Sequence, residues 1–119
     1  MQTKRAELSD RFLDFAAAVI KLAVKLNRTL PGKHVGGQLT RSATSTGANY
    51  QEACGAESRA DFILKMQIVL KELNESLYWL KLLDRSQLAS HDEIQTILQE
   101  GTALNRIIAK SVITAKANK

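Results

Sequence analysis

Cysteine, proline and glycine are scarce in this chain, and each scarcity excludes something. Cys54 is the single cysteine among 119 residues, so no intrachain disulfide can form and a reducing cytoplasm is the expected location. Pro31 is the single proline and glycine occurs six times, so breaks are few and fall where a helical chain would turn. No apolar run reaches the roughly 18 residues needed to cross a bilayer, and the first residues lack the apolar core of a secretion signal. No segment alternates apolar and polar residues with period two, so strands are not expected.

The chemistry of catalysis is equally sparse. The two histidines, His34 and His91, fall in an expected connection and an expected cap, and both are read as solvent-exposed. No paired Cys or His spacing suits zinc, and there is no phosphate-cradling glycine loop or nucleophile elbow. Glu72 and Glu75 share a helix as the carboxylates of a di-iron bundle do, but the Glu-x-x-His partners of such a site are missing. Cys54 is read as a semi-buried filler, and Tyr78-Trp79 as core or interface packing in preference to a base-stacking pair. The expectation is a protein without enzymatic activity, metal or cofactor.

What the chain does have is helical periodicity. Four helices are expected at roughly 7–30, 34–54, 58–84 and 90–116, separated by Leu30-Pro31-Gly32-Lys33-His34, by Gly55 and by Ser86–Ser90. Leu8, Phe12, Phe15, Val19, Leu22 and Leu26 form a seam in steps of four and three, with a second stripe (Leu13, Ala17, Ile20, Val24) beside it. That face is broader than one neighbouring helix requires, which suits a bundle interior or contact with another subunit. Phe62, Met66, Val69, Leu73, Leu80 and Leu83 repeat the pattern, and Ile94, Leu98, Gly101, Leu104, Ile108 and Ala115 continue it. Ser58 and Ser90 are placed as N-caps, the latter with Glu93 in a capping box. Short connections favour one antiparallel up-down four-helix bundle over residues 1–119.

The net charge is +5, unevenly spread: +5 over residues 1–41, −4 over 42–100, and four basic groups without an acid over 101–119. In an up-down bundle the first and fourth helices are neighbours, so Lys21, Lys25 and Arg28 are expected to share a basic surface with Arg106 and Lys110, and Lys33 joins them as a candidate phosphate contact. Two readings stand for that surface: phosphate contacts, or a solvated face that confers solubility.

The second helix differs from the others. From Gln38 to Glu52 it is built of small and polar residues that need a tertiary reason to stay helical. Leu39, Ala43, Thr46, Tyr50 and Ala53 form a slim apolar seam, and Gln38, Ser42, Ser45, Asn49 and Glu52 a polar one. The third helix carries Asp61, Lys65, Glu72, Glu75 and Trp79. Antiparallel pairing puts Arg41 beside Glu72 and Glu75, and Glu52 beside Asp61 and Lys65. The expected result is a partly buried hydrogen-bonded ion-pair network that fixes register more than it adds stability.

Residues 38–83 also resemble the bacterial four-helix bundle family known as the 23S ribosomal RNA intervening-sequence proteins. The resemblance rests on Gln38, Arg41-Ser42-Ala43-Thr44-Ser45, Gly47-Ala48-Asn49-Tyr50, Glu52-Ala53, Ser58, Asp61-Phe62, Lys65, Leu70-Lys71-Glu72, Glu75 and Tyr78-Trp79-Leu80. Thr46 departs from the Ile or Val more usual at its position. The resemblance implies a bundle that assembles into a ring, a homopentamer. Related bundles are similar to the accessory protein of diversity-generating retroelements, which implies RNA or DNA and a reverse transcriptase as candidate partners. The expected function is an oligomeric, RNA-associated adaptor; the alternative is a protein–protein scaffold that docks an acidic partner.

Overall fold

The computed structural model describes residues 3–118; Met1, Gln2 and Lys119, which the expected domain over 1–119 includes, lie outside the described residues. Four helices form in chain order: α1 (Lys4–Leu26), α2 (Leu30–Cys54), α3 (Arg59–Arg85) and α4 (His91–Ala117). Among the described residues there is no strand.

Each helix begins on a hydroxyl cap, because the first amides of a helix have no internal acceptor. Thr3 accepts from the Ala6 amide at 3.1 Å, Thr29 from Gly32 at 3.0 Å, Ser58 from Asp61 at 3.0 Å and Ser90 from Glu93 at 3.5 Å. The first connection corrects the sequence expectation. Residues 30–34 are not a break: α1 stops at Leu26, and α2 already starts at Leu30. Pro31 sits in the first turn of α2, where its missing N–H costs no hydrogen bond. Lys33 and His34 are therefore helical residues. The connection is only Asn27–Thr29, and the capping Thr29 hydroxyl is the signal that a proline-centred reading passes over.

The end of α3 closes differently. Gln87 adopts a left-handed φ of 59°, and its amide donates to the Asp84 carbonyl at 3.1 Å while the Leu88 amide donates to Leu83 at 3.2 Å. Those paired bonds satisfy the last carbonyls of the helix as a Schellman motif does.

Side-chain pairs set the topology. Gln51 on α2 donates to Ser9 on α1, Arg41 pairs with Glu72 and Glu52 with Lys65 across α2 and α3, and Asn105 donates to Asn74 across α4 and α3. Arg11–Glu100 and Lys25–Glu93 close α4 against α1. With Gly36 lying against Ala23 on α1 and Gln95 donating to Asp84 on α3, numbers rise on one helix as they fall on its neighbour at every seam, so the bundle is antiparallel and up-down. Its extents are 49 × 28 × 19 Å.

The core holds Phe12, Phe15, Val19, Leu22 and Leu26 from α1; Leu39, Ala43, Tyr50 and Ala53 from α2; Met66, Val69, Leu73, Leu80 and Leu83 from α3; and Ile94, Ile97, Leu104 and Ile108 from α4. Leu8 and Phe62, expected in the seams, are only partly buried at its edge. Thr46 is fully buried and donates its hydroxyl to the Ala43 carbonyl at 2.7 Å, which makes a polar residue tolerable there. Gly101 lets α4 pack tightly against α3 and α1, since a Cβ would lie 2.9 Å from Leu77 Cδ2 and 3.0 Å from Phe15 Cε1.

Candidate functional site

Three surfaces hold the residues that the sequence singles out. The first lies between α2 and α3. Arg41 Nη1 donates to Glu72 Oε2 at 3.2 Å, and Nη2 donates to Glu75 Oε2. The same Glu75 oxygen accepts from Trp79 Nε1 at 3.1 Å, and Gln38 Oε1 accepts from Arg41 Nε at 3.5 Å. Hydrogen bonds from Trp79 and then Arg41 hold the Glu75 carboxyl below its ordinary pKa, and the Glu75 bond raises that of Arg41.

Beneath this cluster the polar contacts become buried. Ser42 Oγ and Ser76 Oγ lie 2.8 Å apart, and Ser76 also donates to the Glu72 carbonyl at 2.9 Å. Further along the seam the contacts open to solvent again: Asn49 Nδ2 donates to the Ser45 carbonyl at 2.8 Å and to its hydroxyl at 3.0 Å, and Lys65 reaches the exposed Glu52 at 3.7 Å. Asp61 contributes its backbone amide to the Ser58 cap. Among the described residues, every buried side-chain polar atom has a partner. Small side chains on α2 let α3 approach closely enough for serine to meet serine, so this network clips two helices in register. Its polar groups are satisfied internally, which leaves little for a ligand to take.

The second surface is a groove between α1 and α2. The stripe of Leu13, Ala17, Ile20 and Val24 does not enter the core: Leu13 is 66% exposed, Ile20 44% and Val24 71%. Two depressions of about 480 and 510 Å³ meet at Ile20 and run along the helix pair. Their α2 wall is low because Gly36, Gly37, Gly47 and Ala48 provide it. A broad apolar α1 ridge therefore stands beside a shallow trough.

The third surface is charge. The structure does not bring the six candidate phosphate contacts together. Arg11 pairs with Glu100 and Lys25 with Glu93, so Lys21 and Arg106 lie on opposite sides of the Arg11–Glu100 level, about 14–24 Å apart along the axis at 1.5 Å per residue. Lys21, Lys25 and Arg28 cluster near the α1–α2 and α3–α4 connections, with Lys33 beside the groove; Arg106 and Lys110 lie towards the other end. Lys25 is also bonded to Glu93 at 2.9 Å. An antiparallel neighbour reverses level as well as direction, and that reversal separates the two groups.

Sequence reasoning missed the outer stripe of α3. Tyr78, read as core or interface packing, is not in the core of the chain but 60% exposed. Lys71, Lys81 and Arg85 are exposed with it. Their spacing of three and seven residues was the available signal, hidden by the acidic sum of the segment. Cys54 is partly buried, as a filler would be. His91 Nδ1 lies 2.8 Å from Asp84 Oδ1. Among the described residues no three His, Cys, Asp or Glu side chains group as metal ligands, and no helix is long and apolar enough to cross a membrane.

Fold and surfaces together define an antiparallel four-helix bundle whose middle helices are clipped by a polar network and whose first helix presents an unfilled apolar ridge. The chain belongs to the 23S rRNA-intervening sequence protein family, whose profile matches residues 4–110. It is similar to a crystal structure from Bacteroides thetaiotaomicron described as a protein of unknown function from the S23 ribosomal protein family. The TM-score is 0.83 at 37% identity, covering 88% of this chain and 97% of that one. No curated protein matches.

Proposed function

We propose that the chain is a non-enzymatic, self-assembling binding module of the cytoplasm that associates with RNA through basic surface groups. The observation that carries the reading is the exposed α1 ridge of Leu13, Ile20 and Val24 beside its small-residue trough. Contiguous apolar surface of this kind marks an interaction site, and a second copy of the chain is its proposed occupant. Head-to-tail repetition of such a contact closes into a ring when the rotation allows, in keeping with the pentamer that the family resemblance implies. Repetition would also multiply the +5 charge of one chain, giving a field that attracts phosphate backbones and weakens steeply with salt.

Light scattering after size exclusion tests the assembly: the wild-type chain should elute as an oligomer and an Ile20→Glu/Val24→Glu variant as a folded monomer. A wild-type monomer at all concentrations overturns self-assembly. Anisotropy titration with RNA at two salt concentrations tests the association, and no binding at low salt overturns it. An acidic protein partner that survives nuclease treatment, with no RNA affinity, would favour the scaffold alternative.

A further inference from the structure

The charge of α3 is sorted by face. Glu72 and Glu75 turn toward α2, where Arg41 holds both. The exposed stripe beside them runs Lys71, Asn74, Tyr78, Lys81 and Arg85, recurring in steps of three and four that keep them on one side of the helix. On α4, Arg106 and Lys110 are likewise exposed. The Asn105–Asn74 bond at 2.9 Å fixes the register of the two helices, which puts Arg106 level with the stretch between Lys71 and Asn74. Among the described residues, none of these five cations makes an ion pair within 4 Å, although Lys71 also acts electrostatically on Glu75 one turn away. The acids nearest the far end are partly engaged: Asp84 with His91 and Gln95, and Glu93 with Lys25. Asp92 remains exposed there.

Tyr78 stands in the middle of this stripe. Its ring packs edge-on against Trp79, with centroids 5.0 Å apart and planes at 73°, and Trp79 is itself anchored to Glu75 at 3.1 Å. The phenol is thus exposed yet supported from below. Lys71 and Arg85 lie seven residues to either side, about 10 Å along the axis, and Lys81 lies one turn away. An aromatic face flanked by unpaired cations is the combination that takes a base by stacking and its neighbouring phosphates by charge.

Resting on the RNA-association reading above, we propose that the outer face of α3 and α4 binds single-stranded RNA, with a base stacked on Tyr78 and phosphates against Lys71, Lys81, Arg85, Arg106 and Lys110. A duplex fits poorly, because its bases are already stacked and cannot cover the ring. This face lies across the bundle from the α1–α2 groove and is repeated in every copy of the assembly.

The test is anisotropy of a labelled, unstructured oligouridylate on the full-length protein at two salt concentrations, with helical content of each variant checked by circular dichroism. Tyr78→Ala should weaken binding about tenfold, and Tyr78→Phe should retain it. Lys81→Gln/Arg85→Gln should weaken binding and reduce the logarithmic salt slope by about 1.4, two phosphate contacts' worth for a single strand. Lys21→Gln/Arg28→Gln should weaken it less. Wild-type affinity in Tyr78→Ala, equal affinity for a duplex, or tighter binding of the matching single-stranded DNA overturns the proposal. Loss concentrated in the Lys21/Arg28 variant overturns the location while leaving RNA association standing; no binding of any RNA at low salt overturns both.

Discussion

Replacing Gly32 with alanine should destabilise the bundle, whereas the same change five residues later should stabilise it. A Cβ on Gly32 would sit 2.3 Å from the Leu26 carbonyl oxygen and 2.8 Å from Thr29 Oγ1. The first contact is with backbone at the end of α1, which cannot rotate away. The second is with the hydroxyl that caps α2 through the Gly32 amide at 3.0 Å. Overpacking costs about 1–3 kcal/mol, and a disturbed cap about 1 kcal/mol. Against these stands about 1 kcal/mol that alanine gains over glycine in a helix. The net is a loss of about 1–3 kcal/mol. At Gly37 nothing lies within 4 Å of the added carbon, so only the gain remains, about 0.5–1 kcal/mol. An unfolding entropy of about 2.1 cal/mol/K per residue makes 1 kcal/mol worth about 4 °C for a chain of this size. Gly32→Ala should lower Tm by about 4–12 °C and Gly37→Ala should raise it by about 2–4 °C. Calorimetry in the Ile20→Glu/Val24→Glu background reads the fold without self-association. An unchanged or raised Tm for Gly32→Ala would refute the close α1–α2 approach.

The buried Ser42–Ser76 contact predicts non-additivity. Each serine retains a carbonyl acceptor when the other is removed, Leu39 for Ser42 and Glu72 for Ser76, so either alanine variant should cost only about 1 kcal/mol. The double variant should cost less than the sum, by about 0.5 kcal/mol or more in a urea-denaturation cycle; strict additivity would refute the hydroxyl pair. Acid should expose the Glu75 contribution. Its folded-state pKa is lowered, so its stabilisation is present above the unfolded value and is lost as pH falls through the folded one. Tm followed from neutral to about pH 3 should therefore drop less steeply in Glu75→Gln than in the wild type; parallel acid limbs would refute the assignment.

Much of the fold was legible because its causes are local. The α1 seam from Phe12 to Leu26 and the α3 seam from Met66 to Leu83 follow helical spacing, and burial follows the spacing. Ser58 and Ser90 cap because a hydroxyl three residues before an amide is enough. The first connection was misread for a reason that is also local: proline breaks a helix in its interior and is welcome in its first turn, so the same Pro31 supports opposite boundaries. Only Thr29, read as a cap, distinguishes them. The Arg41 cluster was legible in composition and level, since antiparallel pairing about Gly55 fixes which residues face one another. The buried bond between Ser42 and Ser76 was not, because only the close approach of two helices makes one serine the partner of another.

Charge was the least legible property, and α3 shows why. A segment sum treats a helix as a line, whereas electrostatics acts on a cylinder. Glu72 and Lys71 are adjacent in sequence and nearly cancel in any window, yet a step of about 100° sends one toward Arg41 and the other toward solvent. Glu72 and Glu75 are held against α2 by Arg41, while Lys71, Lys81 and Arg85 stay on the exposed side of the helix. An acidic segment thereby presents a basic outer stripe. The first and fourth helices show the converse: their cations share a sign but are separated by level, and Glu93 neutralises Lys25. What decides whether like charges make a surface is azimuth and level together. By azimuth the exposed cations of α3 gather around Tyr78 on one side of their helix, with Lys71 and Arg85 about 21 Å apart along it at 1.5 Å per residue.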